Sequence, residues 1–194
     1  MKLVLRYFAV LSVVFVGLSV SSCKEKNPLD AFTEVKGTYF SINQYIIDEW
    51  TSHAGEPLVF KKSVKSNGKT DTTLINADNL DWPSVLDLFV ATDISNRKYL
   101  GQYTFSQFDD ETDKSHNFMY VANKGDMFVQ KLLITMNFDM KVRGVYIETF
   151  KKTLFKETQQ KMLYAPLKTI QIQQYEKPFI GATREVITKY EVLR

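Results

Sequence analysis

Cysteine is almost missing from this chain: Cys23 is the only one in 194 residues, so no intrachain disulfide can form. Small folds in oxidising compartments often lean on disulfides, and this one must lean on packing instead. Its 14 Phe and 10 Tyr suit that demand. Histidine is nearly as scarce. His53 and His116 stand far from metal-ligand spacing, and no H-E-x-x-H or cysteine cluster accompanies them, which argues against a zinc enzyme. Eight widely spread glycines cannot assemble a phosphate-cradling loop. A G-x-S-x-G elbow is absent too, as is a Ser-x-x-Lys in a strand-turn-helix setting, so nucleophilic catalysis has no recognisable motif. No cofactor is implied.

What is present begins with the first 23 residues. Lys2 and Arg6 form a short basic start, Tyr7 to Val20 is an apolar run, and Val20-Ser21-Ser22-Cys23 closes it. This reads as a signal peptide, residues 1–22, and the run is shorter than the roughly 20 residues that span a bilayer. Removing Lys2 and Arg6 lowers the formal charge from +3 to +1, too weak a field to gather nucleic acid. The closing four residues resemble the lipobox of bacterial lipoproteins. The resemblance implies that the Cys23 thiol is diacylated and that the chain is cut before it. Two or three acyl chains make a stable anchor where one is marginal.

Residues 23–36 are polar, contain Pro28 and show no periodicity, which suits a lipidated tether. Residues 37–194 are expected to form one globular domain. Lys24-Glu25-Lys26 is similar to the charged export signals of surface-exposed lipoproteins in the Bacteroidota.

Ser41 followed by Gln44 reads as a capping box, with Phe40 and Tyr45 at staple positions. Ile42, Tyr45, Ile46, Trp50 and His53 recur at helical spacing until Gly55 and Pro57 stop the helix. From Leu58 to Ile75 the pattern is a hairpin. Asn67-Gly68 is a strong type I′ turn signal, and it sets Val64 opposite Asp71, Lys62 opposite Thr73 and Phe60 opposite Ile75. This Lys- and Thr-rich ribbon is expected at a sheet edge. A second helix spans Trp82 to Val90, capped by Asp81, with Pro83 in its first turn. Asp81-Trp82 through Leu86, Phe89 and Asp93-Ile94 resembles a stretch of Bacteroidota lipoproteins of this length, a resemblance that implies no activity.

From Tyr99 onward the chain reads as strands: 99–108, 118–122, 128–138, 142–150, 158–165, 167–175 and 184–193. Lys151 to Lys161 reads equally well as strand or helix, since Leu154, Phe155, Thr158 and Met162 also fall at helical spacing. The expected fold class is α+β, with two N-terminal helices packed on a curved antiparallel β-meander of about seven to nine strands, a half-barrel or a small barrel.

Candidate sites are few. Asp71-Thr72-Thr73 matches the motif on which Bacteroidota attach O-linked glycans, which makes Thr72 an attachment candidate. Asp109-Asp110-Glu111-Thr112-Asp113 has carboxylates at alternate positions, but Lys114 and Tyr120 occupy the places where a calcium loop needs glycine and glutamate, so a solvated loop is expected and no metal site. Tyr99, Tyr103, Tyr120 and Tyr146 could converge at a barrel mouth and face a ligand, or simply complete the core and its rim.

Three functions follow from different classes. The first is a membrane-anchored, non-catalytic interaction subunit of an outer-membrane assembly, held by its lipid and docked on an outer-membrane protein partner. The second is a half-barrel carrier of a hydrophobic ligand such as a lipid, similar to the periplasmic lipoprotein-carrier fold or to lipocalins. The third is a hydrolase built from dispersed acids.

Overall fold

A computed structural model describes residues 39–53, 55–80 and 82–193, with the backbone alone described at positions 82 and 83. The signal peptide, Cys23, the tether and the capping residue Asp81 lie outside the described residues. Helix α1 (Ile42–Ser52) is followed by strands β1 (Val59–Ser66) and β2 (Lys69–Asn76), then helix α2 (Trp82–Val90). Seven strands complete the chain: β3 (Tyr103–Asp110), β4 (Ser115–Ala122), β5 (Val129–Asn137), β6 (Val142–Lys152), β7 (Lys156–Ala165), β8 (Thr169–Pro178) and β9 (Arg184–Leu193).

All nine strands form one antiparallel sheet in the order β2-β1-β9-β8-β7-β6-β5-β4-β3, left open at β2 and β3. The small-barrel alternative is therefore corrected to an open sheet. Asn67 and Gly68 take φ of 50° and 76°, and the turn they make sets the expected register of Phe60 on Ile75, Lys62 on Thr73 and Val64 on Asp71. Of the two hairpin strands, however, β2 alone is an edge. β1 pairs on its other side with β9, placing Phe60 opposite Val192 and Lys62 opposite Tyr190. Two register shifts interrupt the β5–β6 pairing, between Val129 and Lys131 and between Thr135 and Met136. Such bulges bend the strand that carries them.

One sheet face is apolar, and cross-strand pairing lines its residues into rows. Phe105, Tyr120, Leu132, Ile147, Met162 and Ile172 make one row from β3 to β8. Phe118, Ile134, Val145, Tyr164, Ile170 and Tyr190 make the next, from β4 to β9. Ile42 and Ile46 of α1 and Val85 and Phe89 of α2 are buried in the same cluster. Tyr45 and Phe89 both meet the Tyr164 ring edge-on, at centroid distances of 6.2 and 5.9 Å. Edge-to-face pairs of this kind add to the gain from burial alone.

The α1 N-terminus departs from the expected capping box. Ser41 Oγ accepts from the Gln44 amide at 3.1 Å, but the Gln44 side chain donates to Asp48 and does not return to Ser41. Asp93, just past α2, supplies the missing acceptor: it takes the Ser41 hydroxyl at 2.7 Å, the Asn43 amide at 3.0 Å and the Ser95 amide at 2.7 Å. A carboxylate at a helix N-terminus also meets the positive end of the helix dipole. The two helices are thus tied by a charged link that no local pattern announces.

Other boundaries shift. Tyr99 belongs to a 3-10 turn (Arg97–Tyr99) ahead of β3, and Leu167, at φ 50°, belongs to the turn before β8. His116 lies inside β4 and not in a turn; its Nδ1 is 2.6 Å from an Asp109 oxygen and its ring packs on Phe138 at 4.9 Å. Lys151 to Lys161 is a tight hairpin, the end of β6 turning into β7, so the helical alternative falls.

A candidate docking surface at the hairpin end

Strands β6 to β9 outrun their neighbours. β5 stops pairing at Val129 opposite Thr149, leaving Phe150, Lys151 and Lys152 of β6 beyond it. On the other side β1 ends at Ser66 opposite Val186, leaving Arg184 and Glu185 of β9 beyond it. The sheet therefore projects a four-stranded tongue. Along the tongue the core-facing positions turn polar: Thr149, Gln160 and Gln174 pass hydrogen bonds of 3.3 and 3.0 Å from strand to strand, and Gln174 donates to Glu176 within β8 at 2.9 Å.

At the tip this polar trend reverses. Thr153 organises the β6–β7 turn: its amide donates to the Lys156 carbonyl at 2.9 Å, and its hydroxyl oxygen accepts from the Lys156 amide at 3.1 Å. Leu154 and Phe155 are left at the apex, 91% and 81% exposed. The β8–β9 turn lies alongside, joined by a 2.8 Å hydrogen bond from the Phe179 amide to the Phe155 carbonyl, and Phe179 and Ile180 are each 85% exposed. Gly181 takes φ 112°, a value that suits glycine, as the chain turns back into β9.

Two clefts flank this apex. One of about 480 Å³ runs between Leu154, Phe179, Pro178 and the stems of Lys152, Lys156 and Lys177. The other, about 590 Å³, lies between Phe128, Phe150, Lys151 and Lys152. Lys152 pairs with Glu157 at 2.6 Å and Lys156 with Glu176 at 2.5 Å. Each lysine holds its partner's carboxyl below the usual glutamate range, first through the hydrogen bond itself.

The residues singled out from the sequence lie elsewhere. Tyr103 and Tyr120 are buried, with Tyr39 edge-on to both at 5.8 and 5.3 Å. Tyr99 packs on Tyr103 at 6.3 Å. Burial pushes the Tyr103 hydroxyl up to about 12, and that hydroxyl donates to the Val129 carbonyl at 3.1 Å. Tyr146 does not join them. It pairs with Leu133 and Leu163, so its side chain takes the opposite sheet face from Ile147, and its hydroxyl donates to Glu148 at 2.8 Å. Burial, with Glu148 second, raises Tyr146 to about 12. Thr72 is exposed on the edge strand β2, its Oγ1 3.5 Å from Ser63 Oγ. In the acidic run, Asp110 Oδ1 accepts from the Thr112 and Asp113 amides, and Arg143 binds Asp113 at 3.3 Å. No group of three metal-ligating side chains is found among the described residues.

Between α1 and the sheet, a cavity of about 30 Å³ is bounded by Trp50, Leu58, Phe60 and Tyr164. That is room for one or two waters. Among the described residues, no helix is long and apolar enough to cross a membrane.

The apolar tips were not foreseen from the sequence, although a signal for them exists. Leu154-Phe155 stands between Lys152 and Lys156 and Phe179-Ile180 between Lys177 and Arg184, apolar pairs flanked by cations where the chain reverses, and turn residues are normally polar or glycine. Comparison with protein-family models, with curated proteins and with solved structures finds no match.

Proposed function

We propose that this protein is a lipid-anchored, non-catalytic interaction subunit of an outer-membrane assembly, joined to the outer membrane through Cys23 and to a protein partner through the free edge of β3. In this reading the two helices cover the apolar face of a curved half-barrel, and the sheet edge does the docking. The observation that carries it is β3 itself. From Tyr103 to Phe108 this terminal strand has neither lysine nor proline, the residues that ordinarily protect an edge, and among the described residues no strand pairs beyond it. Phe105 and Phe108 are partly exposed along it. An extended partner segment that adds to such an edge gains main-chain hydrogen bonds and side-chain pockets together. The opposite edge, β2, carries Lys69 and Asp71, whereas the charges of β3, Asp109 and Asp110, are confined to its last two positions.

The carrier reading has less support. A bound acyl chain needs a few hundred cubic ångströms of enclosed space, and the internal cavity offers about 30 Å³.

A photo-crosslinking residue at Gln107 of β3, in the full-length chain in its native membrane, tests the docking. A discrete crosslinked membrane protein is expected from Gln107 and not from the same residue at Thr72 on β2. Equal or absent crosslinking at both edges would overturn the β3 reading. Detergent phase partition tests the anchor, since the Cys23→Ser chain loses the acyl-dependent share of its detergent partition.

A further inference from the structure

We infer that the paired tips of the β6–β7 and β8–β9 hairpins enter the surface of an anionic lipid bilayer. This goes beyond the reading above and depends on neither the β3 edge nor the acylation of Cys23.

The layering of the tongue carries the argument. At the apex stand Leu154, Phe155, Phe179 and Ile180, four side chains exposed by 81% to 91%. Leu, Ile and Phe are the residues that transfer most favourably into the hydrocarbon of a bilayer. One step back along the strands come Lys151, Lys152, Lys156 and Lys177, and behind them the Thr149, Gln160 and Gln174 relay. That order, apolar then cationic then neutral polar, repeats the order of acyl chain, headgroup and water in a leaflet. Lysine stems can lie along the apolar tips while their ammonium groups stay among the headgroups. Five cations, Lys151, Lys152, Lys156, Lys177 and Arg184, stand against four carboxylates, Glu157, Glu176, Glu185 and the cleft's Asp126, and Lys152 and Lys156 engage Glu157 and Glu176. The surplus favours anionic lipid, worth about fivefold in affinity per lysine near the surface.

The shape favours a bilayer over a protein. A protein-docking patch is typically an apolar centre ringed by a polar rim on a broad face. Here two narrow turns project past β5 and β1, and the core-facing positions behind them are the polar Thr149, Gln160 and Gln174.

The point of chain entry agrees. The Tyr39 hydroxyl donates to the Tyr103 carbonyl at 3.3 Å and accepts from the Gly101 amide at 3.0 Å. Tyr103 in turn donates to the carbonyl of Val129, beside Phe128, whose carbonyl accepts from the Phe150 amide at 2.8 Å. Tyr39 thus sits at the same end of the strands as the tongue.

The test uses the full-length chain incorporated into vesicles, with Phe155→Trp and, separately, Phe179→Trp as local probes and Phe138→Trp at the opposite end of the sheet as the control. Vesicles of phosphatidylcholine with phosphatidylglycerol carry brominated acyl chains as quencher. The expected result is loss of emission from the tip probes and none from the control, measured against the parent chain with its native Trp50 and Trp82. Replacing phosphatidylglycerol by phosphatidylcholine, or introducing Lys151→Gln with Lys177→Gln, should reduce the quenched fraction, with the tip's entry equilibrium falling about fivefold per charge removed. Tip probes that stay unquenched while the chain floats with the vesicles would overturn the proposal and leave the anchor reading intact. Tip probes shielded only after a membrane-protein fraction is added would overturn it in favour of a protein partner. Quenching that ignores lipid charge would overturn the anionic preference. Melting curves matching the parent establish that the variants are folded.

Discussion

Strands β6 to β9 build two regions with opposite logic. In their inner halves, Ile147, Met162, Tyr164, Ile170, Ile172 and Tyr190 are buried in one cluster with α1 and α2 side chains. In their outer halves the same pairing continues, yet the core-facing side chains include Thr149, Gln160 and Gln174, and Leu154, Phe155, Phe179 and Ile180 sit bare at the turns. Hydrogen bonding is the same throughout, so ladder pairing cannot distinguish the regions. What differs is whether anything covers the face. Stability should therefore reside in the inner half, and the tongue should tolerate change.

The sharpest way to break this contrast is Leu132→Ala, which opens a cavity in a fully buried row and should cost about 2–5 kcal/mol by denaturant titration. Phe155→Ser with Phe179→Ser should stay within about 0.5 kcal/mol of the parent in the same assay. A comparable loss from both would show that the tongue is part of the core.

Next in size is Asp93→Ala. It removes the acceptor shared by Ser41, Asn43 and Ser95, and about 1–3 kcal/mol should be lost. Asp93→Asn, which keeps an acceptor, should recover part of that loss in thermal unfolding.

Tyr45→Phe sharpens the view of the inner region in the other direction. The Tyr45 hydroxyl is buried without a hydrogen-bond partner among the described residues, and burial pushes its pKa far up. Removing it should leave stability unchanged or raise it by about 1 kcal/mol, read from the unfolding midpoint.

The smallest effect is at His53, the C-cap of α1. Its hydrogen bond with Glu56 at 2.7 Å holds its pKa above the ordinary 6.5, with Glu49 at 3.4 Å adding to this and desolvation opposing it. The stabilising charge is fully present below the unfolded pKa and is lost as pH rises through the folded one. An NMR titration should place the His53 midpoint above 6.5, and Glu56→Gln should lower it.

How much of this was legible depended on distance along the chain. The Asn67-Gly68 turn dictated the β1–β2 register because both signals lie within ten residues. The bounds of α2 and β9 could be read from periodicity for the same reason. The Ser41 cap was half legible: the amide bond to Gln44 is local, whereas Asp93 is 52 residues away. Lys151 to Lys161 was ambiguous because a short apolar run fits both periods, and the pairing of Lys151 on Thr158 and Lys152 on Glu157 resolves it. Tyr146 shows the same limit in the candidate aromatic set. A strand alternates faces residue by residue, so its orientation could be assigned only once its neighbours Leu133 and Leu163 were known.

By itself the sequence determined the kinds and order of most elements and the Asn67-Gly68 turn, because these follow from backbone preferences and from spacing between near neighbours. The tertiary structure alone decided that β1 closes against β9, that the sheet stays open at β3, and that Leu154, Phe155, Phe179 and Ile180 meet at one projecting end. Those outcomes depend on strands far apart in the chain competing for one apolar face, a global competition in which no short stretch of residues contains the result.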